Sequence, residues 1–207
     1  MEKIVKTWIL RGVKDLYLSF VLEQEYAWAP HAAFLLEQGA EKICKAYLIA
    51  KTLNNKKLNY NKVKSEAHRI GKNYNHNFKK IIADINELEI NSLRTKYYDT
   101  HYKITGEKIL KNLEGIFIES RYPVLTEQKV HKNFSVEKNF SLDIMGSSLL
   151  RDFCYELALT IIIIIGEKFH IYVDKQELDQ RIKGIEMSED NYSKERFWKI
   201  FKISLKK

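Results

Sequence analysis

The sequence predicts an all-α protein built as a helical bundle. Apolar residues recur at steps of three and four along several stretches, which is the period of a helix that buries one face. The chain of 207 residues contains only two prolines and eight glycines, so long helices meet few obligatory interruptions. Its length suits one sizeable core with an appendage.

The first two predicted helices show this pattern most clearly. One spans about Trp8 to Tyr26, and its predicted buried face carries Ile9, Val13, Leu16 and Phe20. The other begins near Pro30, which suits a first helical turn, and ends near Leu53. Its predicted buried face carries Ala33, Leu36, Ala40, Ile43, Tyr47 and Ala50.

Charged residues recur at regular spacing within the second helix. Glu37, Glu41, Lys42 and Lys45 fall between its apolar positions, in the stretch HAAFLLEQGAEKICKAYLIAK. Glu41 and Lys45 stand in the favourable order for an ion pair one helical turn apart. We therefore expect these residues to form a solvated face.

The rest of the chain predicts three further helical regions. The polar residues 54–64 are typical of a loop. A third helix is expected from near Ser65 to Leu88, with Gly71 as the candidate interruption, and another helical region from about Gly106. The chain should become extended or turn at Tyr122, because a proline follows. A long helix is expected from about Leu142 to His170.

The net charge and the cysteine content indicate which binding partners and which cellular compartment to expect. A formal charge of +8 and a pI near 9.2 favour polyanionic partners such as RNA. Only two cysteines occur, so no disulfide framework is implied and the reducing cytoplasm is the expected location. The N-terminus lacks a signal-peptide core. The isoleucine-rich run 157–166 is about half of the roughly 20 residues that span a bilayer, so no membrane role is expected.

Three motifs occur in order along the chain. The second helix carries Glu41-Lys42 and Lys45-Ala46 after an apolar stretch, the third predicted helix carries His68-Arg69-Ile70, and Arg121-Tyr122-Pro123 follows. Together they resemble the HEPN domain (higher eukaryotes and prokaryotes nucleotide-binding domain), although His-Asp-Leu is the usual form of the second motif. The resemblance covers about residues 8 to 170. We therefore divide the chain into a HEPN-like bundle, 1–170, and a basic amphipathic extension, 171–207.

The resemblance implies a fold and an activity. HEPN domains are up-and-down bundles of four or five main helices that commonly form dimers. Many are metal-independent ribonucleases of toxin or phage-defence type, with an arginine followed by four to six residues and a histidine. The histidine transfers the 2′-hydroxyl or leaving-group proton, and the arginine holds the phosphate.

Two segments have the required spacing. Arg94 and His101 enclose six residues, and so do Arg69 and His76. Arg94 and His101 are the preferred catalytic pair, because Asp99 stands beside the histidine where it would orient the imidazole. The alternative for this segment is ordinary packing against the bundle.

The same resemblance gives a predicted set of contacts with nucleic acid or nucleotide. Tyr97 and Tyr98 would stack on bases, and Arg121 and Lys45 would contact the nucleic acid or nucleotide. Arg121 has an alternative role, which is to anchor a carboxylate or a helix end where the chain turns.

Two classes of function remain open from the sequence. One is a ribonuclease; the other is a non-catalytic module that binds RNA, a nucleotide or a nucleotidyltransferase partner. The module would use the basic extension, including Lys194, Arg196, Trp198, Lys199, Lys202, Lys206 and Lys207.

We expect a homodimer, because the isoleucine-rich run exceeds what one bundle helix needs for its own core. We expect neither a cofactor nor a metal, since no Gly-rich phosphate loop and no Cys-His cluster occurs.

Overall fold

The computed structural model describes residues 1–26, 30–54, 56, 60–74, 76–96, 98–99, 104–110, 113, 148–183 and 191–201. Its labelled helices are α1 (Glu2–Tyr26), α2 (Pro30–Asn54), α3 (Tyr60–Tyr74), α4 (Phe78–Ile85), α5 (Leu88–Lys96), α6 (Ser148–Phe169), α7 (Lys175–Ile182) and α8 (Asn191–Phe201). Residues 106–110 are also helical, as expected. Two short strands, β1 (Tyr98–Asp99) and β2 (Ile104–Thr105), pair antiparallel. The all-α fold class is confirmed.

Helices α1 and α2 pack as an antiparallel pair, and glycines allow their backbones to approach closely. Ser19, late in α1, donates a hydrogen bond to the carbonyl of Ala32 early in α2, at 2.7 Å. A Cβ on Gly39 would lie 2.8 Å from the carbonyl oxygen of Gly12, which is closer than side-chain carbons normally come. The absence of both side chains therefore sets the distance between the two helices.

The isoleucine-rich helix α6 completes the core between α1 and α2. Arg151 near its start forms an ion pair with Glu23 of α1 at 2.7 Å, and Phe169 at its end lies against Tyr47 of α2, with ring centroids 5.6 Å apart. Helix α6 therefore runs antiparallel to α1 and parallel to α2. Most apolar residues of the run are buried, but Ile163 is 50% exposed.

The predicted third helix is in fact two helices. Gly71, the expected interruption, lies inside α3, and the break comes at His76, which has a left-handed φ of 63°. Asn77 then caps α4 by accepting a hydrogen bond from the backbone N–H of Lys80, so a new helix starts there. Leu88, the expected end of the third helix, is instead at the start of α5 and is 82% exposed.

The described part of the C-terminal extension packs on the bundle. Leu178 and Ile182 of α7 and Phe197 of α8 are buried in the same core as α1, α2 and α6. Phe197 is fully buried, and its ring lies 5.1 Å from that of Tyr17. The boundary at residue 170 stays a prediction, but residues of α7 and α8 contribute to the core of the bundle.

Other expectations fall outside the described residues. These are the turn at Tyr122, the start of the long helix near Leu142, and Lys202, Lys206 and Lys207 of the basic tail. Within the described part of the chain, no helix is long and apolar enough to cross a membrane.

Candidate functional site

Three of the four charged residues predicted on the solvated face of α2 lie inside the protein. Glu37 is 1% exposed, Glu41 2% and Lys45 5%. The expectation of a solvated face is therefore wrong. The physical reason is the central position of α2: Glu37, Glu41 and every residue from 43 to 50 are buried, so the helix is surrounded by protein there.

Lys45 is held by two groups in this interior. Its ammonium forms an ion pair with Oε1 of Glu41 and donates a hydrogen bond to the carbonyl oxygen of Gly71 in α3, at 3.1 Å. The predicted i,i+4 pair is thus confirmed, but in a buried setting. Lys42 lies nearer the surface and pairs with Asp15 of α1.

His76 reaches the same cluster from the turn between α3 and α4. Its Nδ1 lies 2.8 Å from Oε2 of Glu41, and its side chain is 38% exposed. A left-handed φ is uncommon for a residue with a side chain, although histidine tolerates it better than most. The contact with Glu41 and the cap at Asn77 hold the turn in this conformation.

Gln38 places an amide at the centre of the cluster. Its Nε2 lies 3.0 Å from Oε2 of Glu37, 3.2 Å from Oε2 of Glu41 and 3.2 Å from Nδ1 of His76. One side of α2 and the α3–α4 turn therefore converge on a single point. The second oxygen of Glu37, Oε1, is buried and has no hydrogen-bond partner among the described residues.

The surroundings of the two glutamates shift their pKa values in opposite directions. Burial, reinforced by the negative charge of Glu41, raises the pKa of Glu37 well above its usual range. Burial would also raise the pKa of Glu41, but the hydrogen bond from His76 and the charge of Lys45 outweigh it and lower that pKa to about 2. The surroundings thus favour the protonated form of Glu37 and the ionised form of Glu41.

The two buried cysteines lie close to this cluster but are poor nucleophiles. Neither Cys44 nor Cys154 is in a disulfide. Burial, with a further contribution from nearby glutamate charge, raises the pKa of both thiols. Reactive cysteines need a lowered pKa and access to solvent, so thiol chemistry is not expected here.

The described contacts do not bring the alternative catalytic pair together. Arg69 is exposed on α3 and binds Glu66 through Nε and Nη2, at 2.8 and 2.7 Å, whereas His76 contacts Glu41 and Gln38. Lys45, expected to bind nucleic acid, is buried and ion-paired. The role of Lys45 in binding nucleic acid stays a prediction. The catalytic role of Arg69 and His76 also stays a prediction.

The preferred pair lies largely outside the described residues. Arg94 is in the last turn of α5, but its side chain is not described, and neither are His101, Tyr97 and Arg121. For Tyr98 only the backbone, in β1, is described. The roles of these residues also stay predictions.

Sequence reasoning missed Glu37 and Gln38 as members of a polar site. A signal was present, because the run 43–50 is apolar except for Lys45 and so predicts a helix surrounded by protein. Charged residues on such a helix need partners inside the fold. No pattern of spacing could identify His76 as the partner, since it lies 35 residues after Glu41 and on another element.

Comparison with known families agrees with the architecture. The family model for the HEPN domain matches residues 5–139, a range that contains the buried cluster, both arginine–histidine segments and Arg121. No curated protein and no solved structure gives a significant match.

Proposed function

Because the chain belongs to the HEPN domain family, we propose that it is a metal-independent ribonuclease of toxin or phage-defence type, acting in the cytoplasm. Arg94 and His101 are the proposed catalytic pair. The family supports an activity on RNA or nucleotides in general, and the segment around this pair supports the choice of residues.

The observation that carries this choice is the backbone path at the end of α5. The helix ends at Lys96, two residues after Arg94, and β1 begins at Tyr98. Asp99 pairs with Ile104 of β2. Arg94 therefore lies in the last turn of α5 and Asp99, the residue proposed to orient His101, in the strand that follows, which supports the choice of this segment.

The proposed chemistry uses each residue type for what it does well. His101 transfers the proton between the 2′-hydroxyl and the leaving oxygen, and Asp99 orients its imidazole. Arg94 binds the phosphate and offsets the charge that builds up in the transition state. Tyr97 and Tyr98 stack on bases, and Arg121 contacts the nucleic acid. A homodimer would place two such sets around one scissile phosphate.

A second function is favoured by a different observation. Arg69 binds Glu66, and His76 binds Glu41 and Gln38, so one of the two arginine–histidine segments is held by other partners. A chain in which neither segment is catalytic would be a binding module for RNA, a nucleotide or a nucleotidyltransferase partner. The net charge of +8 supports the RNA-binding form of this alternative.

The experiment that distinguishes these functions is incubation of the purified protein with labelled RNA in EDTA. The variants are His101→Ala, His76→Ala and, as a matched control, His68→Ala, which removes an exposed histidine from α3. Cleavage that is lost only in His101→Ala supports the proposed pair. Loss only in His76→Ala moves the site to Arg69 and His76, and cleavage unchanged in both variants contradicts both sites. Salt-sensitive RNA retention without cleavage by any form supports the binding module.

A further inference from the structure

The acceptor atoms of Glu37, Glu41 and His76 lie close enough to share one ligand. One carboxylate oxygen from each glutamate and one imidazole nitrogen all lie within 4.8 Å of one another. Two of the three residues are buried and come from successive turns of α2, and the third comes from the α3–α4 turn. This set therefore differs from a run of surface acidic residues, because two of its members are buried and its members come from two separate elements.

A second observation is a missing hydrogen-bond partner on one of the three residues. Glu37 is 1% exposed, yet its Oε1 has no hydrogen bond among the described residues. A buried oxygen without a partner costs free energy. The carboxylate that bears it also faces the cluster through Oε2, which lies 3.0 Å from Gln38 Nε2.

The Gln38 amide lies where a fourth ligand of a bound cation would lie. Its nitrogen lies 3.0 to 3.2 Å from three atoms of kinds that coordinate metals, which are Oε2 of Glu37, Oε2 of Glu41 and Nδ1 of His76. Ligand atoms around an ion with bonds of about 2.0–2.1 Å are separated by about 2.9–3.4 Å, which is the same range. A half-turn of the amide would present its oxygen as a fourth ligand.

We propose that Glu37, Glu41 and His76 bind one divalent first-row transition metal ion, such as Zn²⁺ or Mn²⁺, that fastens the α3–α4 turn to the central helix α2. The imidazole nitrogen favours these ions over Mg²⁺ and Ca²⁺, which prefer all-oxygen sites. Glu41 is suited to this role because Lys45 occupies its Oε1, while Oε2 faces the cluster. The two carboxylates match the charge of the ion.

The site is structural and does not depend on the proposed ribonuclease chemistry. The ion would replace the contact between His76 and Glu41 by bonds to both residues, and so would hold His76 in its left-handed conformation. The sequence alone predicts no metal, because ligands from α2 and from a distant turn form no motif of short spacing.

Two variants test the site without unfolding the protein. Glu37→Gln keeps the size of the side chain and replaces one carboxylate oxygen by an amide nitrogen, and His76→Gly removes the imidazole at a φ of 63° that glycine adopts without strain. Glu2→Gln is the matched control, because it removes one carboxylate from an exposed position of α1. Each EDTA-treated, desalted protein is titrated calorimetrically with Zn²⁺ and with Mn²⁺, and circular dichroism verifies the helix content.

The expected result is one ion per chain for the wild-type protein and for Glu2→Gln, and affinity at least ten-fold weaker for both cluster variants. Bound ion should also raise the melting temperature of the wild-type protein and leave that of Glu37→Gln unchanged. The proposal is wrong if the wild-type protein binds neither ion, or if the cluster variants bind as tightly as Glu2→Gln. Because the ribonuclease assay is run in EDTA, its outcome is separate from this one.

Discussion

At the scale of the residue, burial decides what a charge does in this protein. Lys42 and Lys45 stand three positions apart on α2, and both pair with a carboxylate. The Lys42 side chain is 29% exposed and that of Lys45 is 6% exposed. A partly exposed ion pair is weakened by water, whereas a buried one leaves an uncompensated charge when either partner is removed.

We therefore expect Lys45→Met to destabilise the protein far more than Lys42→Met. Loss of Lys45 strands the Glu41 carboxylate and the carbonyl of Gly71, and should cost about 3–5 kcal/mol. Loss of Lys42 should cost about 0–1 kcal/mol. Urea unfolding in metal-free buffer measures both. Equal effects of the two substitutions would show that Glu41 does not depend on Lys45.

At the scale of the element, the contact between α1 and α2 depends on the absence of side chains. Gly12 and Gly39 face each other, and a Cβ on Gly39 would lie 2.7 Å from Leu16 Cδ2 as well as close to the Gly12 backbone. Backbone cannot move aside as a side chain does. The two helices would have to separate along a contact that buries much of the core.

Gly39→Ala should consequently destabilise the protein by about 1–3 kcal/mol through overpacking, although alanine favours a helix over glycine. Gly71→Ala is the matched control, because the nearest atom to its Cβ would be Cη2 of the Trp8 side chain, at 3.0 Å. We expect the control to change the free energy of unfolding by less than about 1 kcal/mol. A stabilised Gly39→Ala variant would mean that the helices separate at little cost.

At the scale of the whole molecule, the C-terminal helices belong to the core. Phe197 contacts Tyr17 of α1 and Tyr155 of α6 through edge-on ring packing, with centroids 5.1 and 5.7 Å apart. Trp198, assigned to the RNA-binding tail from sequence, is partly buried and donates a hydrogen bond to Asp179 at 3.0 Å. Phe197 and Trp198 of the extension thus have a packing role.

Phe197→Ala should lower the free energy of unfolding by about 3–5 kcal/mol, the usual cost of removing a buried phenylalanine. Lys199→Ala, in the same helix but exposed, should change it by less than about 0.5 kcal/mol. Thermal unfolding followed by circular dichroism compares the two variants. A small effect of Phe197→Ala would indicate that the bundle does not need α8.

Fewer apolar residues of α6 are exposed for the proposed homodimer than the sequence predicted. Of the five successive isoleucines, Ile161, Ile164 and Ile165 are buried in the chain's own core, and Ile163 is the exposed one. The groove beside it, between α5 and α6, is also lined by Glu89, Glu156 and Glu167. A surface contact through α6 would therefore involve Ile163 and charged neighbours.

Light scattering at tens of micromolar, a concentration suited to weak interfaces, should show a dimer for the wild-type protein. Ile163→Asp should shift it to a monomer with unchanged helix content, because the side chain is 50% exposed. Ile161→Asp is the contrasting variant and should unfold the chain by burying an unpaired charge. A wild-type monomer contradicts the dimer, and a dimeric Ile163→Asp places the interface elsewhere.

The sequence by itself determined the fold class and the buried faces of the first two helices. The apolar period in α1 and α2 is local, and few prolines interrupt it, so Ile9, Val13, Ala40 and Ile43 could be assigned to the core correctly. The HEPN family was also identifiable, because its motifs are short and occur in a fixed order. These features depend on neighbours along the chain.

Only the tertiary structure decided which charged residues lie in the interior. The sequence predicted Glu37, Glu41 and Lys45 on a solvated face, since charged residues at helical spacing usually lie there. Their burial follows from packing of α1, α3 and α6 around α2, which no local pattern specifies. The break at His76 has the same origin: its contact with Glu41 joins residues 35 positions apart, and such a contact exists only once the helices have assembled.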